Sequence, residues 1–417
     1  MKVNGFLKDV KGAERVTEAR RALIQSGDEN QPYEDPIRAL ARELHPNETN
    51  VVVTAVEDAS PDARTFTFEA VPGETLPPFQ AGQYCTLDVK VGPVRTSRPY
   101  SISSAPFQAR AATTDGNPAS GRPFFQITIR NGRRGEGFAA NWLYAYTKVG
   151  DQFCAHLPFG QFYFEPLRDA RKVVALAGGS GITPFVSMAE EVAHGTLDID
   201  LTIIYGSELP TSVILRGRLE HLAATCEHVH VAYVYSGSEE DVLMAGAPVG
   251  YEAGFISADI IRRHSPAEPA SGDVSFFVCG PRAMYDFVER ELHALGVPRR
   301  RIRMETFGAP RDLAKAKGYP GAKQTRYQLT VKRGLECDTI PISSTEPFSV
   351  AMDRARIPNN TRCRSGSCGY CRCKLLAGEV FVPSEGDGRR YADKKFHYVH
   401  ACSTYPLSDC TIEVPIV

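Results

Sequence analysis

The sequence lacks any apolar run near the ~20 residues that a membrane-spanning helix needs. Its longest runs, at 172–178 and 276–279, have the length of buried strands. It also lacks a surplus of either charge. With 48 basic and 49 acidic residues the formal net charge is −1, so no global field favours nucleic acid or an anionic membrane surface. Tryptophan occurs once, as Trp142, and no internal repeat is present. The first nine residues contain no apolar secretory core, which points to the cytoplasm. Against these shortages stand 417 residues with ordinary globular composition, 42% hydrophobic and 23% charged, enough for about three domains with their own cores.

Cysteine is present in unusual number and place. There are eleven, an odd count, and four of them fall between positions 363 and 373. A secreted disulfide scaffold is smaller and uses an even set. A cluster of this kind in a reducing compartment holds metal. The scattered Cys85, Cys154, Cys226, Cys337 and Cys410 read as small apolar residues.

The pattern of the chain changes three times. Residues 1–47 read as a helical extension with two short amphipathic helices, 14–24 and 36–44, that either docks a partner or packs on the next domain. From 48 to 168, short alternating segments at 51–56, 65–68, 84–89, 100–103, 125–129 and 152–157 lie between Gly/Pro turns and predict an antiparallel β-barrel. Residues 105–123, rich in Ala, Gly, Thr and Pro, read as a long loop. From 169 to 310, continuous apolar strands alternate with helices near 184–194, 212–224 and 281–295. This predicts an α/β domain with a parallel sheet covered on both faces. Residues 311–324 read as a linker, and 325–417 as a last domain carrying the cysteine cluster.

That cluster is spaced Cys363-x4-Cys368-x2-Cys371, with Cys402 thirty residues further on. The spacing is that of a plant-type [2Fe–2S] site, in which a tight loop supplies three thiolates and a distant cysteine closes the set. Gly366 and Gly369 would let backbone amides turn toward the sulfurs. Structural zinc is the competing reading, but two C-x2-C pairs are missing. Cys373, one position past Cys371 and its neighbouring Arg372, should point elsewhere.

Further strings carry chemistry. Residues 98–104 read Arg-Pro-Tyr-Ser-Ile-Ser-Ser, and 135–143 read Gly-Glu-Gly-Phe-Ala-Ala-Asn-Trp-Leu. Strand alternation puts Arg98 and Tyr100 on one face. Residues 177–184 read Ala-Gly-Gly-Ser-Gly-Ile-Thr-Pro between a strand and a helix, where amides and the helix N-terminus attract a pyrophosphate. Tyr205-Gly-Ser-Glu208 ends the next strand, Cys279-Gly280-Pro281 ends a later one, and Met304-Glu-Thr-Phe307 follows.

Together these strings resemble the ferredoxin–NADP reductase superfamily. Their order, flavin then nicotinamide then C-terminal plant-type ferredoxin, resembles its phthalate dioxygenase reductase type over roughly residues 48–417. The resemblance implies an α+β (β-grasp) ferredoxin domain. It also implies FAD, with FMN as the other choice, held by Arg98, Pro99, Tyr100 and Ser101 and by the amides of Gly137, Phe138, Ala139 and Ala140. Ala140 stands where the family has serine, so one hydroxyl contact is missing. Gly178, Gly179, Gly181, Thr183, Glu208, Cys279, Gly280 and Pro281 would bind the pyridine nucleotide, and Phe307 would stack near the flavin. Acidic Glu208 would repel a 2′-phosphate, which implies NADH, although Arg216 and Arg218 follow on the next helix. Ser101, Thr183 and Cys279 would border the reacting atoms. Cys363, Cys368, Cys371 and Cys402 would ligate the iron.

The implied activity passes hydride from NADH to FAD and then single electrons through the [2Fe–2S] cluster to a separate protein acceptor, an oxygenase or another redox enzyme. The alternative is a non-catalytic electron-transfer or redox-sensing subunit that carries the same groups.

Overall fold

The computed structural model describes residues 13–26, 37, 48–110, 122–132, 137–308, 313–321, 325–384 and 387–415. The chain divides into two compact units, Met1–His45 and Pro46–Val417. The first unit contains helix α1 (Ala13–Ser26), at the place of the first expected helix. The second expected helix, 36–44, lies outside the described residues except for Ile37. Most of the expected loop at 105–123 also lies outside them, its start forming a short 3-10 turn at Pro106–Ala109.

The second unit opens with six strands: β1 (Thr49–Ser60), β2 (Ala63–Ala70), β3 (Tyr84–Val91), β4 (Val94–Ser101), β5 (Phe124–Arg130) and β6 (Gln152–Phe159). They form one antiparallel sheet in the order β4-β3-β6-β1-β2-β5. A bridge between Ile102 and Ile127 joins the two ends and closes the sheet into a barrel. Period-two alternation drives this closure. Phe66 and Phe68, Cys85 and Leu87, Ile127 and Ile129, and Ala155 and Leu157 all point into one core. Helix α2 (Phe138–Tyr146) adds Leu143 to it. The flavin string sits mostly earlier than its pattern predicts. The sequence Thr-Ser-Arg-Pro-Tyr-Ser has no apolar alternation, but the Gly92-Pro93 turn pairs Val94 with Val91 and so starts the strand at Val94.

The next layer is a parallel sheet in the order β10-β9-β8-β7-β11-β12. Its strands are β7 (Lys172–Gly178), β8 (Asp200–Ser207), β9 (Val229–Tyr235), β10 (Glu252–Ala253), β11 (Val274–Cys279) and β12 (Ile302–Glu305). Along β7, Val173, Ala175 and Ala177 face the side covered by α3 (Thr183–Ala193) and α4 (Arg216–Thr225). Val174 and Leu176 face α5 (Ala258–His264) and α6 (Arg282–Ala294). Burial on both faces explains the unbroken apolar runs.

The C-terminal part is a five-stranded mixed sheet in the order β14-β13-β19-β15-β17. It uses β13 (Arg326–Arg333), β14 (Glu336–Ser343), β15 (Arg372–Ala377), β17 (Tyr398–His400) and β19 (Cys410–Glu413), with a two-stranded annex of β16 (Val380–Phe381) and β18 (Tyr405–Pro406). Helix α7 (Phe348–Ala355) packs Phe348, Ala351 and Met352 against Leu329, Val331 and Ile412.

A buried polar junction fastens this part to the barrel. Arg364 donates to the Ser97 carbonyl at 2.6 Å, and to Thr96 Oγ1 and Asp353 Oδ2 at 2.8 Å each. Thr96 in turn donates to Asp353 at 2.9 Å. Arg364 is 7% and Asp353 9% exposed, so neither charge is shielded by water. Removing one partner of such a pair costs about 3–5 kcal/mol because the other is left buried and uncompensated. Asp353→Ala is therefore expected to lose stability of that order in urea unfolding. A loss under about 1 kcal/mol, the size of a surface pair, would show that the junction relaxes.

Candidate redox site

A cavity of about 1000 Å³ opens where the barrel meets the carboxyl ends of β7, β8 and β11. This is the edge at which open α/β sheets bind ligands. Its wall includes Pro99, Tyr100 and Ser101 from β4, Gly137 and Ala140 from the start of α2, and Gly178, Gly179, Gly181 and Thr183 from the β7–α3 turn. Glu208, Cys279, Gly280, Pro281 and Phe307 complete the set foreseen from sequence.

Three foreseen residues do not line the cavity. Ala139 is buried in the barrel flank. Phe138 lies with its ring 5.2 Å from the Arg98 guanidinium. Arg98 itself donates to Thr96 and stands 3.9 Å from Asp353. The physical reason is charge: Asp353 is the nearest partner for a cation that burial, and then neighbouring Arg364, already push down to a pKa of about 10.

The glycines are required by close approach. A Cβ on Gly181 would fall 2.2 Å from the Cys279 carbonyl oxygen, and one on Gly178 would fall 2.8 Å from Pro281 Cδ. The two loops therefore pack backbone to backbone, and Gly179 takes a positive φ of 52° between them. Tyr205 Oη donates to the Gly179 carbonyl at 2.9 Å. Thr183 Oγ1 donates to the Ser180 carbonyl at 3.0 Å, fixing the turn that opens α3. The exposed backbone of this turn beside a helix start fits a dinucleotide pyrophosphate.

The wall carries Asp62, Glu208 and the three arginines Arg130, Arg282 and Arg290. Arg130 is tied to Asp62 at 2.6 Å, and Arg282 donates to the Gly308 carbonyl at 3.3 Å. Arg216 pairs with Glu220 at 2.7 Å, and Arg218 bonds Glu190 and, at 3.0 Å, Gln126. Neither Arg216 nor Arg218 reaches the wall that carries Glu208.

Sequence reasoning undervalued Glu305, whose only signal was its place in the string Met304-Glu-Thr-Phe307. Parallel pairing of β11 with β12 sets it beside Cys279. Ser101 Oγ lies 3.5 Å from its carboxyl. Burial pushes the Glu305 carboxyl well above the usual carboxylate range, so it holds a proton that an exposed glutamate would lose. Burial likewise raises the Cys279 thiol, which stays neutral. Tyr285 was also missed. Its hydroxyl accepts from the Gly280 amide at 3.1 Å and donates to the Glu305 carbonyl, which locks the Cys279–Pro281 loop to β12.

The four expected cysteine ligands converge. The side chains face one another, Cys363 interacting with Cys368 and Cys402, and Cys371 with Cys402. Cys363 Sγ also accepts from the Ser365 and Cys368 amides and from Ser367 Oγ, each at 3.4 Å. Positive φ values of 85° at Gly366 and 77° at Gly369 turn the loop inward. Among the described residues, three ligand atoms fall within 4.8 Å of one another only at Asp88, Cys154 and His156. Three cysteines from one tight loop with a distant fourth is the donor set of a [2Fe–2S] site rather than of paired C-x2-C zinc ligands. Cys373 points away into the core and donates to the Val399 carbonyl, as its position implied.

A row of aromatic rings connects cavity and cysteines. Phe307 on the wall meets Tyr84 at 5.2 Å between centroids, Tyr84 meets Phe159 at 5.9 Å, and Phe159 meets Tyr370 at 5.2 Å. Tyr370 lies in the loop between Cys368 and Cys371.

Known proteins agree with this geometry. The oxidoreductase NAD-binding domain family matches residues 175–290, and the 2Fe-2S iron-sulfur cluster binding domain family matches residues 338–407. The chain is an oxidoreductase with an NAD-binding domain and a [2Fe–2S] domain. It is 28% identical to the glycine betaine monooxygenase reductase subunit of Chromohalobacter salexigens, over 87% of this chain and 95% of that one. It is 28% identical to the NADH oxidoreductase HCR of Escherichia coli, over 80% and 89% respectively. Its fold is that of phthalate dioxygenase reductase, at a TM-score of 0.59 and 21% identity over 88% of this chain and 98% of that one.

Two outcomes follow for this oxidoreductase. Cys368→Ser is expected to abolish the iron–sulfur absorption and leave NADH-dependent bleaching of the flavin; an intact cluster spectrum would reject the ligand set. Glu305→Gln removes a group whose folded pKa is raised. Wild type is penalised progressively as pH climbs above the ordinary glutamate range, and the penalty is absent below it. The variant should therefore gain thermal stability over wild type with rising pH and match it in acid. A constant difference would mean that Glu305 is ionised in the fold.

Proposed function

We propose that this chain is the NADH-dependent reductase component of a multi-protein oxygenase system, taking an electron pair from NADH and delivering single electrons to a separate oxygenase. The observation that carries the reading is the ring row Phe307–Tyr84–Phe159–Tyr370, which runs from the dinucleotide cavity to the cysteine loop. A bound flavin would supply the conversion from paired to single electrons, since it exchanges both.

The chain's own residues would do the positioning. Ser101 and Tyr100 would face the flavin ring, with Arg98, Pro99 and the α2 start at Gly137–Ala140 serving its phosphate. The β7–α3 turn would hold the pyrophosphate of NADH, and Thr183, Cys279 and neutral Glu305 would exclude water around its nicotinamide. FAD is favoured over FMN by the superfamily resemblance. NADH is favoured over NADPH because Glu208 is the side chain at the end of β8, while Arg216 and Arg218 are engaged elsewhere.

An oxygenase acceptor is supported by the glycine betaine monooxygenase reductase subunit above and by the carnitine monooxygenase reductase subunit of Escherichia coli, 27% identical over 79% of this chain and 87% of that one. A cytoplasmic setting is consistent with eleven cysteines that form no disulfide. No helix among the described residues is long and apolar enough to cross a membrane.

In anaerobic titration NADH is expected to reduce the cluster of the holoprotein. Steady-state kcat/KM should be at least about tenfold lower with NADPH, a difference of about 1.4 kcal/mol, and Glu208→Lys should narrow the gap. A cluster that stays oxidised under excess NADH would leave only the non-catalytic alternative.

A further inference from the structure

Away from the cavity and the cysteine loop, one face of the barrel gathers a second set of metal-ligating side chains. Cys154 and His156 are two apart on β6, so both point out of the barrel while Phe153, Ala155 and Leu157 point in. Pairing of Thr86 with His156 and of Leu87 with Ala155 brings Asp88 of β3 beside Cys154. On the other side, pairing of Thr49 with Ala155 brings Glu48, just before β1, toward the same face. Adjacent strands thus bring a thiol, an imidazole and the Asp88 carboxylate together, with Glu48 next to the thiol.

The separations are those of a coordination shell. His156 Nε2 lies 3.4 Å from Asp88 Oδ2 and 3.9 Å from Cys154 Sγ. Cys154 Sγ lies 3.6 Å from Glu48 Oε2. Four ligands around one zinc ion, with bonds of ~2.0–2.3 Å, stand ~3.3–3.8 Å apart. His156 is buried, whereas the Asp88 side chain is half exposed and leaves an entry path.

We propose that Cys154, His156 and Asp88, whose ligand atoms lie within 4.8 Å of one another, form a binding site for a single divalent cation of zinc-like character, separate from the iron–sulfur cluster, with Glu48 beside the thiol. One thiol with one imidazole selects a borderline-soft ion over magnesium or calcium, and the thiolate with the Asp88 carboxylate balances its charge. Binding moves two protons. The Cys154 thiol releases its proton to solvent as the thiolate takes the metal. The His156 ring now accepts at Nδ1 from Arg362 Nη2 at 3.4 Å, so its proton sits on Nε2. Ligation through Nε2 transfers that proton to Nδ1, which can no longer accept from Arg362. Arg362 precedes Cys363 and lies over the rings of Phe159 and Tyr370. The cation site is therefore coupled to the cysteine loop through one guanidinium.

The test uses purified holoprotein with its iron content measured. After incubation with an equimolar zinc salt and gel filtration, elemental analysis should find about one retained zinc per chain with iron unchanged. Cys154 should become protected from iodoacetamide, read by peptide mass spectrometry, and the visible circular dichroism of the cluster should shift. Cys154→Ser with His156→Gln should keep the iron and lose both the zinc and the dichroism shift. Asp88→Asn provides the milder variant and should weaken retention about tenfold or more. Zinc that fails to bind, that binds equally in the double variant, that replaces iron, or that leaves Cys154 as reactive as before would each overturn the site.

Discussion

The placement of the C-terminal sheet depends on one buried pair, Arg364 with Asp353, closed by Thr96 and the Ser97 carbonyl. Charges removed from water are tolerated only when every donor and acceptor is matched. Here the matching crosses between separate sheets, so the pair is satisfied in one arrangement alone. Arg364 sits next to Cys363 of the cysteine loop, and Thr96 sits two residues before Arg98 on the strand that enters the cavity. Fixing the pair therefore fixes the distance between the cysteine loop and that strand. The Gly308 amide, which donates to the Cys363 carbonyl at 3.3 Å, adds a second tie from the chain just past Phe307.

Around this junction the chemistry is arranged by exclusion more than by charge. Cys279 and Glu305 are buried and stay neutral, and Tyr285 closes the gap between their strands. Transfer of paired electrons from a nicotinamide needs correct distance and dryness rather than a general base, so groups that resist ionisation suit the work. The same logic applies to the ring row. Tyr84 and Phe159 are barrel residues on neighbouring strands, and their packing brings the cavity wall at Phe307 within two further rings of Tyr370.

How much of this was legible depends on whether the signal was local. The cysteine loop was legible as a local feature, because its spacing is read directly and Gly366 and Gly369 take the positive φ that turns it. The β7–α3 turn was legible too, although the sequence alone did not say that Gly178 and Gly181 are demanded by the Cys279–Pro281 loop. Alternation exposed the barrel strands with apolar faces but misplaced β4, whose polar sequence is set by its hairpin and by Arg364. What the motif around Arg98 could not show is its packing against Asp353, a residue 255 positions away. Glu305 was hidden for the same reason, since a glutamate at a strand end is ordinary until its burial is known.

The shared use of β4 carries a consequence for specificity of assembly. Its Thr96, Ser97 and Arg98 meet the C-terminal sheet, while Pro99, Tyr100 and Ser101 meet the cavity. Six consecutive residues thus serve two neighbours, and their continuous pairing with β3, from Thr96↔Val89 to Ser101↔Tyr84, ties one set to the other. A change in how the cavity is filled must therefore alter the register of the strand against Arg364 or be resisted by it. Resistance is the economical outcome, because the buried pair has no second arrangement of equal satisfaction. The fold accordingly holds donor cavity and acceptor loop at one separation, and leaves movement to whatever must approach the exposed Cys368 edge from outside.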